Sequence, residues 1–320
     1  MADETPIEVR GLCKSYGALT AVDDVDLSVE AGDVFGYLGP NGAGKTTSLR
    51  MMLGLIRPTA GTVRLFGRDP QVTVKALEGV AGFVEAPSFY PYLNGRTNLE
   101  LLAALDGGGA KERIEESLET VGLRDRAKDR VGAYSHGMRQ RLGIAAALLR
   151  RPKLLLLDEP ATGLDPAGMR DMRDLIRDLS NQGMTVLLSS HLLTEVEDLC
   201  NRVAIVRSGG VAYQGSLADL RREAGGGFLL RSTEDRIARR VAEAQAGITE
   251  VRAGAEGGLT FSAASEDAVS ALSLALIESG TLIRELSPRH ASLEDLFFKL
   301  TEEQDDGAAG AAEPAVGSAA

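Results

Sequence analysis

The 320-residue chain is 44% apolar and 25% charged, the profile of a globular protein rather than a fibrous or disordered one. Its net charge of −11 argues against a nucleic-acid partner, whose phosphates demand clustered Lys and Arg. Two cysteines, Cys13 and Cys200, give neither a disulfide framework nor metal-ligand spacing, which fits a reduced compartment. The opening "MADETPIEVR" lacks a secretory apolar core, and the most apolar runs, "LGIAAALL" and "KLLLLDEP", fall far short of the ~20 residues that span a bilayer. Any action at a membrane must therefore rely on another polypeptide for the span.

Over residues 7–29, Val25, Leu27 and Val29 interleave with Asp24, Asp26 and Ser28, which predicts strand with one wet face. "DVFGYLG" reads as a more buried strand ending in glycine, "TTSLRMMLGLI" has helical spacing, and "GTVRLFG" is a further small strand. "GFVEAPSFYP" at 82–91 is a strand running into a turn, with one carboxylate, Glu85. Residues 96–130 read as helices broken at "DGGG" (106–109), and "SHGMRQRLGIAAALLRR" as a strongly amphipathic helix that stops before Pro152. "KLLLLDEP" and "MTVLLSSH" are buried strands on either side of a helical segment, a β-α-β unit of parallel sheet, and "RVAIVRSGGVAYQG" is a hairpin. A boundary falls at 222–227 ("REAGGG" and its flank), between a domain over 1–221 and a module over 228–301. The module's β-α-β-β-α-β order predicts a ferredoxin-like fold. "SLEDLFFKLTEE" is expected to be a final helix, and 302–320 lacks large apolar residues and is expected to be disordered.

Three stretches carry chemistry. "GPNGAGKTT", residues 39–47, lies between a predicted strand and a predicted helix and matches the phosphate-loop pattern. Gly39, Pro40, Asn41, Gly42, Ala43 and Gly44 let the backbone wrap a phosphate. Lys45 would reach the β- and γ-phosphates of ATP, and Thr46, followed by Thr47, would offer a hydroxyl to Mg²⁺. "LLLLDEP" ends a buried strand at the same sheet edge, so Asp158 arrives near the Mg²⁺ and Glu159 is placed to polarise an attacking water. Beside a phosphate loop these two acids read as functional rather than as a solvated turn. Ser135 heads a long helix whose free amides form an anion site, although on chemistry alone plain capping is the better account of it.

The order "GPNGAGKTT", "SHGMRQR", "LLLLDEP", "ATGLDP", "LLSSH" resembles the nucleotide-binding subunits of ABC transporters over residues 7–220. The resemblance implies an α/β fold with a parallel-sheet core, an antiparallel β subdomain and a helical subdomain. It implies that Tyr16 stacks on adenine and that Ser135 and Gly137 belong to a signature loop contacting ATP held by a second copy. It also implies that Asp158 and Glu159 are the Mg²⁺-associated and catalytic acids, that Asp165 communicates across a dimer, and that His191 touches the γ-phosphate. The signature departs from the usual Leu-Ser-Gly-Gly-Gln, with Tyr134, His136 and Met138 as replacements. Whether His136 crowds the γ-phosphate or donates to it stays open.

The family usually carries glutamine where this chain has Glu85, a residue that joins Mg²⁺ and the attacking water to the groove holding the membrane partner. A glutamate there, and the C-terminal module, resemble the lantibiotic-immunity, bacitracin-type and daunorubicin-type export ATPases. Phe89, Tyr90 and Tyr92 cluster in a chain only 4% aromatic, a partner-surface pattern, against the alternative of a small local core. The expected function is thus a Mg²⁺-dependent ATPase subunit of an exporter of drugs, antibiotics or antimicrobial peptides. It would be a homodimer, or paired with a second ABC domain, cytoplasmic and peripheral on the inner face of the membrane, contacting a permease through residues 85–105. A soluble ABC ATPase of translation or DNA repair is the alternative, disfavoured by one phosphate loop and the acidic balance. A non-hydrolysing regulator is disfavoured by the intact Asp158, Glu159 and His191.

Overall fold

A computed structural model describes residues 5–105, 109–223, 226–254 and 257–290. Their contacts divide into two units, Met1–Leu217 and Ala218–Ala320. The helix expected over 292–303 and the tail beyond it lie outside the described residues.

In the first unit β1 (Ile7–Tyr16) pairs antiparallel with β2 (Leu19–Val29) and with β4 (Ala60–Leu65), forming a three-stranded sheet. The alternation seen in the sequence is physical here: Val25, Leu27 and Val29 are buried while Asp24 and Asp26 face water. The second sheet combines β3 (Val34–Leu38), β5 (Val80–Phe83), β6 (Leu154–Asp158), β7 (Thr185–Ser190), β8 (Arg202–Arg207) and β9 (Gly210–Ser216) in the order β5-β6-β7-β3-β8-β9. Its strands are parallel except β9, which closes the β8–β9 hairpin. Leu154, Leu155, Leu156 and Leu157 are wholly buried, as expected of a parallel strand covered on both faces. Each such side chain contributes about 1.5–3 kcal/mol relative to exposure.

Helix α1 (Lys45–Met52) springs from the end of β3 and packs Leu49, Met51 and Met52 into the core shared by the two sheets. α2 (Gly95–Leu105), α3 (Ile114–Thr120) and α4 (His136–Leu148) form the helical layer. Sequence patterning predicts a strongly amphipathic α4; the structure corrects this. Leu142, Gly143, Ile144 and Ala145 are consecutive and all buried, so the helix is enclosed around a full turn, and it ends at Leu148. Its small residues permit the approach: a Cβ on Gly143 would lie 2.3 Å from Pro87 Cγ. α5 (Pro166–Asn181) links β6 to β7, and α6 (Leu193–Leu199) follows β7.

α7 (Leu217–Glu223) precedes the second unit's strands. There β10 (Gly226–Ser232), α8 (Asp235–Ala244), β11 (Ile248–Ala253), β12 (Leu259–Ala263), α9 (Glu266–Glu278) and β13 (Ile283–His290) follow one another. The antiparallel sheet order β11-β12-β10-β13 is that of a ferredoxin-like fold, with Leu230, Phe261, Leu272 and Leu276 in its core. Among the described residues no helix is long and apolar enough to cross a membrane.

Candidate functional site

The carboxyl ends of β3, β6 and β7 lie side by side, with Leu38 opposite Ser190 and Asp158 opposite Ser189. This is the edge where open parallel sheets bind ligands. The 39–44 loop leaves β3 here. Gly39 cannot carry a side chain, since a Cβ would lie 2.4 Å from the Val206 carbonyl oxygen. Gly44 combines φ of 97° with a Cβ position 2.3 Å from the Ala21 oxygen, so the turn into α1 requires glycine twice over. The loop and helix start thus present backbone amides to an anion.

Lys45, only 5% exposed, folds back into this loop. Its ammonium donates to the Gly39 oxygen at 2.7 Å and the Pro40 oxygen at 3.1 Å, and lies 3.3 Å from Glu159 Oε1. Thr46 Oγ1 donates to Asp158 Oδ2 at 2.8 Å, and the Ser189 hydroxyl donates to Asp158 Oδ1 at 2.5 Å. Ser189 Oγ in turn accepts from the Glu159 amide at 2.9 Å. A buried carboxylate beside a helix-start hydroxyl suits Mg²⁺, which uses one or two protein oxygens together with phosphate and water.

Glu159 sits in left-handed backbone, φ 47°, a costly conformation for a side chain other than glycine. Its Oε2 accepts from Thr162 Oγ1 at 2.9 Å and meets His191 Nδ1 at 3.1 Å. Burial pushes the carboxyl up, but the Thr162 hydrogen bond, Lys45 and His191 together outweigh it, and the net result lies below the ordinary carboxylate range. The acid is therefore an ionised acceptor, so Nδ1 of His191 carries the proton toward it.

Ser190, the residue before this histidine, is itself tied to its surroundings. Its carbonyl accepts from the Gly39 amide at 3.2 Å, and its hydroxyl accepts from the Leu192 amide at 2.9 Å. The same hydroxyl donates to Glu195 Oε2 at 2.7 Å. Glu195 is buried, which pushes its carboxyl up, and its Oε1 has no hydrogen-bond partner in the structure.

The remaining expected site residues fall around this centre rather than in it. Ser135 caps α4, accepting from the Met138 amide at 3.2 Å, and Asp165 caps α5, accepting from the Gly168 amide at 2.8 Å. Tyr134 is buried and donates to the Arg126 oxygen at 2.7 Å, which ties the loop ahead of α4 to the helical layer. Gly137 lies against Leu164. Tyr16 is half exposed, with the Lys14 ammonium 4.9 Å from its ring centre. Glu85 is exposed, in left-handed backbone (φ 69°), and its carboxylate is paired with Arg50 of α1. Its carboxylate therefore bonds to α1 and not to Thr46, Asp158 or Glu159.

Beside Glu85 an apolar groove of about 320 Å³ opens between β5, α2 and α4, floored by Phe83 and Phe89 and rimmed by Leu102 and Leu105. Tyr90 and Tyr92 stand exposed next to it, ring centres 5.8 Å apart. Sequence reasoning missed Ser189, Thr162, Ser190 and Glu195. For the serines a signal existed: two hydroxyls closing a strand buried on both faces must have polar partners.

Residues 22–162 match the family model described as ABC transporter. The chain is 37% identical over 304 residues to the bacitracin transport ATP-binding protein of Enterococcus faecalis, covering 94% of this chain and 97% of the relative. It is 39% identical over 312 residues to the daunorubicin/doxorubicin resistance ATP-binding protein of Streptomyces peucetius, 92% of each. A solved ATP-binding subunit of an ABC transporter superposes with a TM-score of 0.61 at 30% identity, covering 68% of this chain and 93% of that one. The chain belongs to the ATP-binding proteins of ABC transporters. Within that class it is an ABC-type ATPase subunit whose relatives include antibiotic transport and resistance proteins.

Proposed function

We propose that this subunit powers export of an antibiotic, another drug or an antimicrobial peptide through a separate membrane permease. The observation that carries the ATPase part is the convergence of Lys45, Thr46, Asp158, Glu159 and His191 at one sheet edge. Export is supported by the bacitracin and daunorubicin relatives, which match this chain over nearly its whole length.

In this reading the 39–44 loop and Lys45 hold the triphosphate of ATP, with Tyr16 against the adenine. Thr46 and Asp158 would hold Mg²⁺, which would neutralise phosphate charge, and Glu85 would have to leave Arg50 to join them. Lys45 must leave Glu159 to reach phosphate, which frees that carboxylate to accept a proton from water. His191 carries its proton on Nδ1, so donation from Nε2 to a γ-phosphate oxygen requires the imidazolium or the other tautomer. Ser135 and Gly137 complete the site of a second copy, and Asp165 lies at that contact. The protein is cytoplasmic and rests on the inner membrane face, and the groove beside Tyr90 and Tyr92 receives the permease. The C-terminal module, residues 228–301, is accessory or regulatory.

Tagged full-length protein, recovered from solubilised membranes, should bring down an integral membrane permease, and loss of the gene should raise sensitivity to an exported antibiotic. Recovery solely as a soluble species, with drug sensitivity unchanged, would contradict the transport reading.

A further inference from the structure

We propose that His136 is a positioning residue that couples the loop ahead of α4 to Glu159 through Thr162. The idea rests on the site reading above. His136 is the first residue of α4, directly after the cap Ser135. Its Nε2 lies 3.1 Å from the carbonyl oxygen of Thr162. A carbonyl only accepts, so this nitrogen carries a proton. The ring also lies over Gly163, whose φ is 75°, so that a Cβ there would approach His136 Cδ2 at 3.6 Å.

The other end of Thr162 completes the chain. Its hydroxyl donates to Glu159 Oε2 at 2.9 Å, the oxygen that also meets His191 Nδ1. Residues 159–165 form a tight turn in which the Thr162 amide bonds the Glu159 oxygen, the Leu164 amide bonds the Ala161 oxygen, and Asp165 caps α5. A displacement of the Thr162 backbone therefore moves the hydroxyl that orients Glu159. The unbroken path is His136 Nε2–H to Thr162 O, then Thr162 Oγ1–H to Glu159 Oε2. His136 does not occupy its own chain's phosphate loop. It ties the segment that completes a second copy's site to the acid of its own, so each bound nucleotide biases the glutamate of the other site.

The test compares wild type, His136→Ala, Thr162→Val and the double variant, as full-length protein, in steady-state Mg·ATP hydrolysis. Each single change should lower kcat about fivefold, the effect of one ordinary hydrogen bond, with KM for ATP within twofold of wild type. The double variant should be no slower than the slower single, because both cut one path. Thr162→Ser, which keeps hydroxyl and carbonyl, should restore wild-type kcat. Multiplying effects in the double variant, or a His136→Ala effect confined to KM, would overturn the proposal in favour of a direct phosphate contact. Nitrogen-15 NMR of the wild-type ring gives a second reading that needs no variant. A protonated Nε2 is expected, and a bare Nε2 overturns the proposal. A wild-type protein without ATP turnover would instead count against the site reading, and the NMR result would still decide on the bond.

Discussion

Lys45 and Glu159 form an ion pair of 3.3 Å across the loop that a triphosphate would fill. Both groups are held elsewhere as well, Lys45 by the Gly39 and Pro40 oxygens and Glu159 by Thr162 and His191. The ammonium thus stands against the acid of its own site. Binding of phosphate must break that pair, which links occupancy of the loop to the freedom of Glu159.

Titration of Glu159 follows from the same contacts. Its carboxyl is lowered in the fold, so the stability it contributes is present above the unfolded carboxyl value and is lost as pH falls through the folded one. Lys45→Ala removes one of the lowering influences. Carbon-13 NMR of the glutamate side chain should show the Glu159 midpoint move upward in that variant; an unchanged midpoint would mean the pair is inert.

Gly44→Ala tests the phosphate loop itself. The new methyl would meet the Ala21 oxygen at 2.3 Å in left-handed backbone, a combination costing about 2 kcal/mol or more. Calorimetry should show a lowered unfolding temperature, and binding of a fluorescent ATP analogue should be lost. Gly42→Ala has open space around the methyl and bears only the backbone strain of φ 83°, so its thermal loss should be smaller.

Glu195 separates shape from charge. Burial raises its carboxyl, so the charge-linked part of its contribution favours the fold below the unfolded value and fades as pH rises through the folded one. Glu195→Gln should therefore lose less stability than wild type as pH rises above the ordinary carboxylate range in urea titrations. Glu195→Ala leaves the Ser190 hydroxyl without that acceptor and should cost about 1–3 kcal/mol. If the amide and the methyl behave alike, the Ser190 bond carries no weight.

Glu85 and Arg50 form an exposed pair, and such pairs contribute about 0–1 kcal/mol. Glu85→Gln should leave the unfolding midpoint and ATP affinity of the isolated protein nearly unchanged. Its effect should emerge in the response of hydrolysis to the permease, measured in proteoliposomes. Equal stimulation of both proteins would reduce Glu85 to a surface acid.

Much of the fold was legible in the residues, and the reasons are specific. Val25, Leu27 and Val29 alternate with acids because one face of β2 meets water, and Leu154–Leu157 are unbroken because β6 meets none. The C-terminal strand and helix order likewise emerged from period changes, and its sheet order followed. The enclosure of α4 was hidden because small residues such as Gly143 and Ala145 carry little hydrophobic signal while allowing close packing. At the site, the phosphate loop and the acids after β6 were legible as a local pattern. The bridge from Ser189 was not, since its hydroxyl joins β7 to the end of β6, and the local bonds of Thr162 and Ser190 to Glu159 and Glu195 depend on how each turn folds rather than on any residue pattern. Glu85 shows the limit most clearly: the family resemblance points it to the metal, whereas its carboxylate meets Arg50.

Glu159→Gln addresses the central claim most directly. The amide keeps the volume of the side chain but cannot take a proton from water, and it loses the charge that holds Lys45. Purified variant and wild type are to be compared for Mg·ATP turnover and, by light scattering, for association in the presence of ATP. ATP turnover should fall at least a hundredfold while ATP is still bound and a stable dimer accumulates. Turnover near the wild-type level would contradict Glu159 as the hydrolytic base and, with it, the account of how this sheet edge works.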